Sequence, residues 1–105
     1  MSYRVQVIYR IECSPDVELH LRVLTTRQQS IVLEGVDTKL KHQPTLETRN
    51  RKPMRPNPLA SWELRLGNLR VYDEVEEEPE SVVRVLAVGI KERARIRIGR
   101  EMIDL

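Results

Sequence analysis

From Tyr3 to Tyr9 the chain reads YRVQVIY, alternating β-branched or aromatic residues with polar ones, and this pattern predicts a first strand. The period then changes. Ser14-Pro15-Asp16 signals a helix start, with Ser14 as N-cap and Pro15 at the first helical position. Val17, Leu21 and Leu24 share one face of that helix, which runs to about Leu24. Thr26-Arg-Gln-Gln29 fits a capping box, so a second helix begins almost at once. It carries Leu33, Val36 and Leu40 at helical spacing and ends near His42-Gln-Pro44. A joint this short makes the pair an antiparallel helical hairpin. Gly35 is a weak point in the second helix, costing about 1 kcal/mol relative to Ala.

From Gln43 to Ser61 the four prolines 44, 53, 56 and 58 exclude regular helix and a central strand. The segment reads as an ordered crossing loop anchored by Leu46, Met54 and Leu59, with a turn at Asn57-Pro58-Leu59-Ala60. Strands follow. Trp62, Leu64 and Leu66 alternate with Glu63 and Arg65, and Leu69 to Val75 returns after a two-residue Gly67-Asn68 turn. That register places Leu66 opposite Leu69, Arg65 opposite Arg70 and Glu63 opposite Tyr72. EEEPE makes the next turn. Val82–Val88 is apolar on both parities except for Arg84, as in a central strand covered on both faces. After Gly89, RARIRIG alternates again and suggests an edge strand. The order β-α-α-β-β-β, with a possible fifth strand, predicts a single α+β domain over residues 1–105. The helical hairpin packs on one face of a small, mostly antiparallel, twisted sheet, and the other face stays concave and partly open.

Composition removes several classes of function. The lone cysteine, Cys13, excludes an internal disulfide and a Cys-based metal site, and it fits a reducing cytoplasm. The N-terminus lacks an apolar signal core, and no apolar run approaches the ~20 residues of a membrane span. Net charge is only +2, but the layout is uneven. Residues 73–80, DEVEEEPE, are almost all acidic, whereas Arg49–Arg55 and Arg84–Arg100 are strongly basic. A segregated positive surface suits an acidic partner, nucleic acid first.

The candidate chemistry is cationic. There is no Gly-rich phosphate loop and no Cys/His metal spacing, and His20 and His42 read as surface or cap residues on helices. Directly opposed arginines destabilise a strand pair by some tenths of a kcal/mol up to about 1. An anion bound between Arg65 and Arg70 would relieve that repulsion; pairing with Glu63, Asp73 or Glu74 is the alternative. Lys91, Arg93, Arg95 and Arg97 follow the central strand, and Arg49, Arg51, Lys52 and Arg55 enter from the loop. All three groups converge if the loop crosses the open face. Cutting RNA without a metal also needs proton transfer, for which Tyr72 and Glu63 are the candidates.

Together, the β-α-α-β-β-β order, the block WELRLGNLRVYDEV (62–75), the run VVRVLAVGIKER (82–93) and the lead-in ETRNRKPMRPNPLA (47–60) resemble the RelE/ParE family of type II toxins. The resemblance spans Tyr3 to Gly89. It implies a cytoplasmic toxin held inactive by a cognate antitoxin, the pair binding operator DNA through the antitoxin. In the RelE branch the free toxin cleaves mRNA in the ribosomal A site without metal or cofactor; in the ParE branch it inhibits gyrase. The family's hairpin arginine corresponds to Arg70, its second-strand basic residue to Arg65, and the basic residue after the glycine to Lys91 or Arg93. Arg49, Arg51, Lys52, Arg55, Arg95 and Arg97 are then RNA-binding candidates. Three positions depart from the RelE branch. Glu63 stands where a basic residue is usual, Asp73 where many relatives carry an aromatic, and Arg97 where a Tyr or His is usual. The leading expectation is a ribosome-associated mRNA endoribonuclease. The alternatives are a gyrase-type inhibitor, a member that only binds its antitoxin, or a plain RNA-binding domain lacking the aromatics for base stacking.

Overall fold

The computed structural model describes residues 7–104. Its elements are β1 (Arg10–Cys13), α1 (Pro15–Arg22), α2 (Thr26–Lys39), β2 (Arg51–Pro53), β3 (Trp62–Leu66), β4 (Leu69–Glu76), β5 (Val82–Glu92), β6 (Arg95–Ile98) and β7 (Glu101–Ile103). The sheet runs β2-β3-β4-β5-β6-β7, antiparallel throughout, and β1 lies parallel to the first half of β5. This is the expected α+β architecture, with two strands more than the pattern suggested. β2 forms inside the proline-rich segment because Pro53 sits at the end of a short edge strand, where its missing N–H is harmless. β7 forms because Gly99, at φ +62°, turns the chain back onto β6.

The first strand differs from expectation. Of the segment 3–9, residues 3–6 lie outside the described residues, and 7–9 are not strand. Tyr9 donates its N–H to the Lys41 carbonyl (2.8 Å) beyond the end of α2, so pairing with β5 begins only at Arg10.

Helix starts follow local chemistry. Ser14 is the N-cap of α1, as expected, though without a side-chain cap bond, and Pro15 opens the helix. The capping box of α2 is one residue earlier than predicted. Thr25 Oγ1 accepts from Gln28 N–H (3.1 Å), and Gln28 returns a side-chain acceptor to Thr25 N–H (3.0 Å).

The core lies between the helices and one sheet face. Val17, Leu24, Val32, Val36 and Leu40 meet Leu64, Leu69, Val71, Val83, Val85, Val88 and Ile90 there. Leu33, expected in this face, is exposed, and Val32 takes its place. Gly35 has a packing reason: a Cβ there would come within 2.5 Å of Leu66 on β3. Its helix penalty is the condition for close helix–sheet contact.

β5 contributes to both faces, as its doubly apolar pattern predicted. Leu86 is an extra residue opposite the Tyr72/Asp73 step of β4, and this bulge resets the alternation. Val83 and Val85 before it, and Val88 and Ile90 after it, therefore all face the helices. A second cluster forms on the other face from Tyr72, Ala87, Ile96, Ile98 and Ala60, with Met54 and Leu59 packed against it. The loop after β2 thus crosses this face and covers part of it, through two of its three expected anchors. Leu46 stays exposed.

β1 and β6 occupy the same edge of β5 at its two ends. In the gap between them Val88 N–H donates to His20 Nδ1 (3.3 Å). His20 is therefore a half-buried acceptor rather than a surface residue. Burial lowers its pKa below the usual 6.5, against the opposing pull of Asp16. The unfolded chain binds the proton more readily, so this contribution to stability is complete above pH 6.5 and is lost as pH falls through the depressed folded value. Urea midpoints should thus drop between pH 7.5 and 5.5, and His20→Leu should flatten that drop. An equally steep drop in the variant would contradict the assignment.

A cationic cleft at the β3–β4 hairpin

The hairpin is set by two residues. Gly67 takes φ +63° at the first turn position, as a II′ turn requires, and Asn68 completes the loop. Leu66 then pairs with Leu69, Arg65 with Arg70, Leu64 with Val71, Glu63 with Tyr72 and Trp62 with Asp73, which is the expected register. Period-2 alternation sends Leu64 and Val71 to the core and Glu63, Arg65, Arg70 and Tyr72 to the other face. Lys91 N–H donates to Asn68 O (2.7 Å), which ties β5 to the turn.

A cleft of about 200 Å³ results, lined by Glu63, Arg65, Arg70, Lys91, Ala94 and Ile96. Its three cations come from three strands. They differ in how they are held. Arg70 is buried, and its Nη1 donates to the carbonyls of Gly67 (2.6 Å) and Leu69 (3.0 Å). Those acceptors orient the guanidinium without neutralising it. Arg65 Nε donates to Glu63 Oε1 at 2.6 Å. Lys91 is exposed and has no ion-pair partner among the described residues. The Arg65–Arg70 juxtaposition is thus eased on one side by a carboxylate and on the other by backbone carbonyls.

A wider groove adjoins the cleft, lined by Lys52, Met54, Arg55, Asn57, Glu63 and Arg65 among others. Asn57 shapes it. Its Oδ1 accepts from the N–H groups of Leu59 (2.8 Å) and Ala60 (3.1 Å), and its Nδ2 donates to the Arg55 and Ala60 carbonyls (2.6 and 3.0 Å). The predicted Asn57–Ala60 turn is therefore present. Lys52 lies 3.5 Å from Glu47, and Arg55 is exposed.

The remaining candidates are elsewhere. Arg51 does not reach solvent: it is 4% exposed and forks onto Asp73, itself fully buried, at 2.5 and 2.6 Å. Arg51 Nε also donates to Pro44 O (2.8 Å), and its guanidinium lies 4.9 Å from the Trp62 ring centre. Burial pushes the Asp73 pKa up, against the pull of Arg51. Arg51 is a structural ion pair instead of an RNA contact. Arg95 and Arg97 pair across from Glu92 and Ile90, and Ile90 faces the helices, so alternation places both arginines on the face away from the cleft. They are engaged by Asp104 (3.1 Å) and Glu92 (2.7 Å). Arg49 sits in the exposed Thr48–Arg51 turn and lines neither groove. Tyr72 is fully buried beside the cleft, and its hydroxyl has no hydrogen-bond partner among the described residues. Burial, and then the Glu63 carboxylate, push its pKa well above 10. That environment makes it a poor proton donor or acceptor at neutral pH, unlike the role expected for it. Ala94 and Ile96 also line the cleft, and the sequence reading did not single them out; Ile96 pairs with Lys91, so the flanking Arg95 and Arg97 face the opposite way.

Arg93 lies in the two-residue Arg93-Ala94 turn between β5 and β6; Ala94 lines the cleft, and Arg93, expected there, does not. Three hairpins here use two-residue turns with a positive φ at the first position. Two place glycine there, Gly67 and Gly99; the third holds Arg93 at φ +58°. The left-handed region costs an L-residue roughly 1–2 kcal/mol, partly offset by the greater unfolded-state freedom of glycine. Arg93→Gly should therefore stabilise the fold by about 0.5–1 kcal/mol, read from a urea midpoint. A destabilised variant would show that the arginine side chain holds the turn.

A chain in the crystal structure of the toxin–antitoxin complex RelBE2 from Mycobacterium tuberculosis has this fold, with a TM-score of 0.70 at 24% identity over 81% of this chain and 100% of that one. No protein-family model and no curated protein matches the sequence. The structural likeness establishes the fold as RelE-like. Among the described residues, no helix is long and apolar enough to cross a membrane.

Proposed function

We propose that this protein is the toxin of a type II toxin–antitoxin pair, and that it arrests translation by metal-independent cleavage of mRNA on the ribosome. One observation carries the reading: Arg65, Arg70 and Lys91, from three different strands, line a single cleft. They do so on a fold shared with a chain of a toxin–antitoxin complex. A phosphodiester carries one negative charge, and the transition state for its cleavage carries more. Guanidinium groups remain charged at any physiological pH and match the geometry of phosphate oxygens. Arg70, already oriented by the Gly67 and Leu69 carbonyls, needs little reordering to receive the scissile phosphate. Arg65 and Lys91 flank it, and Lys52 and Arg55 in the adjoining groove carry the neighbouring backbone. A cognate antitoxin neutralises the toxin in the cytoplasm, and the pair binds operator DNA through the antitoxin.

The test is induced expression with mapping of mRNA 5′ ends. The wild-type chain should stop growth and cut ribosome-bound mRNA, and co-expression of the cognate antitoxin should restore growth. Arg70→Ala should lower cleavage by about 10²-fold, the usual loss when one preorganised donor to a developing anion is removed. Growth arrest with intact mRNA would instead favour an inhibitor of gyrase type, and no arrest would favour a chain that only binds its antitoxin.

A further inference from the structure

A second cavity, of about 300 Å³, lies on the helix side of the sheet, where the last turn of α2 meets the Thr48–Arg51 turn and β3. β3 supplies Leu64 and Leu66, which belong to the helix-facing core. Leu46, 52% exposed, lines the same cavity and packs into neither apolar cluster. Three leucines around one opening offer apolar sides to a flat ring. The polar groups beside them have hydrogen-bonding capacity left over. The side-chain amides of Gln43 and Asn50 bond to nothing among the described residues, and Thr48 Oγ1, which accepts from Asn50 N–H (3.3 Å), keeps its own proton to donate. The charge is one-sided. No carboxylate lines the cavity, and Lys39 has no ion-pair partner among the described residues. Arg51 and Arg65 line it too, but Asp73 and Glu63 engage them.

We propose that this cavity binds one adenine nucleotide unit. Its volume falls at the lower end of the ~300–1,000 Å³ of small-ligand sites, room for a single nucleotide. The leucines pack on the faces of the base, and the carboxamides of Asn50 and Gln43 read its edge. A carboxamide both donates and accepts, which matches N7 and the N6 amino group of adenine. Guanine instead presents N1–H and N2–H, a donor pair that a carboxylate meets best, and the lining holds none. Lys39 takes the phosphate. A free mononucleotide and one nucleotide of an RNA carry this chemistry alike. The site is distinct from the cleft that holds Arg70, because β3 lies between them. Arg65 lines both, and its N–H donates to Asn50 O at 2.8 Å.

NMR of the isotope-labelled full chain during titration with AMP, GMP, adenosine and inorganic phosphate tests the site. AMP should shift the side-chain amides of Asn50 and Gln43 and the backbone amide of Thr48 along one saturable curve. It should bind at least about fivefold tighter than GMP, the lower bound for one well-made base contact. Inorganic phosphate should not reproduce the side-chain amide shifts. Lys39→Gln should weaken AMP at least about fivefold and leave adenosine within about twofold, because only the phosphate contact is lost. Asn50→Asp should move the AMP-to-GMP preference toward GMP by about tenfold. Arg70→Ala should leave AMP affinity within about twofold, since that residue lies in the other site. A short adenine-containing oligoribonucleotide that displaces AMP at a lower concentration than AMP itself needs marks RNA as the source of the nucleotide; weaker displacement marks the free mononucleotide. Absence of a saturable shift at Asn50 and Gln43 with both AMP and the oligonucleotide overturns the assignment. So do AMP shifts confined to Arg70 and Lys91, or GMP binding as tight as AMP. No cleavage enters these measurements, so their failure leaves the toxin reading intact, and failure of that reading leaves them intact.

Discussion

The register of one two-residue turn governs the site. Gly67 accepts a backbone conformation that other residues adopt only under strain, and the turn it allows makes Arg65 and Arg70 direct neighbours. A slip of one residue would exchange the faces of every side chain on β4. Arg70 and Tyr72 would then enter the helix-facing core, and Leu69 and Val71 would face solvent. The apolar residues on the helix side therefore enforce the placement of the charges on the other side. Packing energy, distributed over many side chains, holds two like charges together at a cost of roughly 1 kcal/mol or less.

The charge layout follows from the same alternation. Where an arginine alternates with residues of the helix-facing core, as Arg70 and Arg65 do, it reaches the cleft face. Where it alternates with Ile96 and Ile98, as Arg95 and Arg97 do, it reaches the opposite face and meets carboxylates. Arg51 shows a third outcome. On an edge strand it shares a face with Leu64, and its charge is buried because Asp73 and the Pro44 carbonyl meet it there. Removing one member of such a pair strands the other charge in the interior, which makes it a determinant of the loop's position more than a binding element.

Much of the fold was legible because its signals are local. Gly67-Asn68 set a register that matches residue for residue, and the doubly apolar run of β5 marked a strand covered on both faces. Other features depend on contacts between distant segments. The start of β1 is decided by Tyr9 bonding to Lys41, the burial of Arg51 by Asp73 twenty-two positions away, and the role of His20 by a gap in the edge of β5. The site was legible in part. Of the residues expected to act together, Arg65, Arg70, Lys91 and Glu63 line one cleft, whereas Arg93 does not line it and Tyr72 is buried beside it. Arg95 and Arg97 were grouped by proximity in sequence, although their alternation with two buried isoleucines already separated them from Lys91.

The most direct test of a convergent anion site is side-chain NMR during titration with a short, uncleavable 2′-deoxy-substituted oligonucleotide. The arginine Nε–Hε and lysine Nζ signals of Arg65, Arg70 and Lys91 should shift together along one binding curve, with Arg51, Arg95 and Arg97 unmoved. Shifts at Arg95 and Arg97 with none at Arg65, Arg70 or Lys91 would contradict the account.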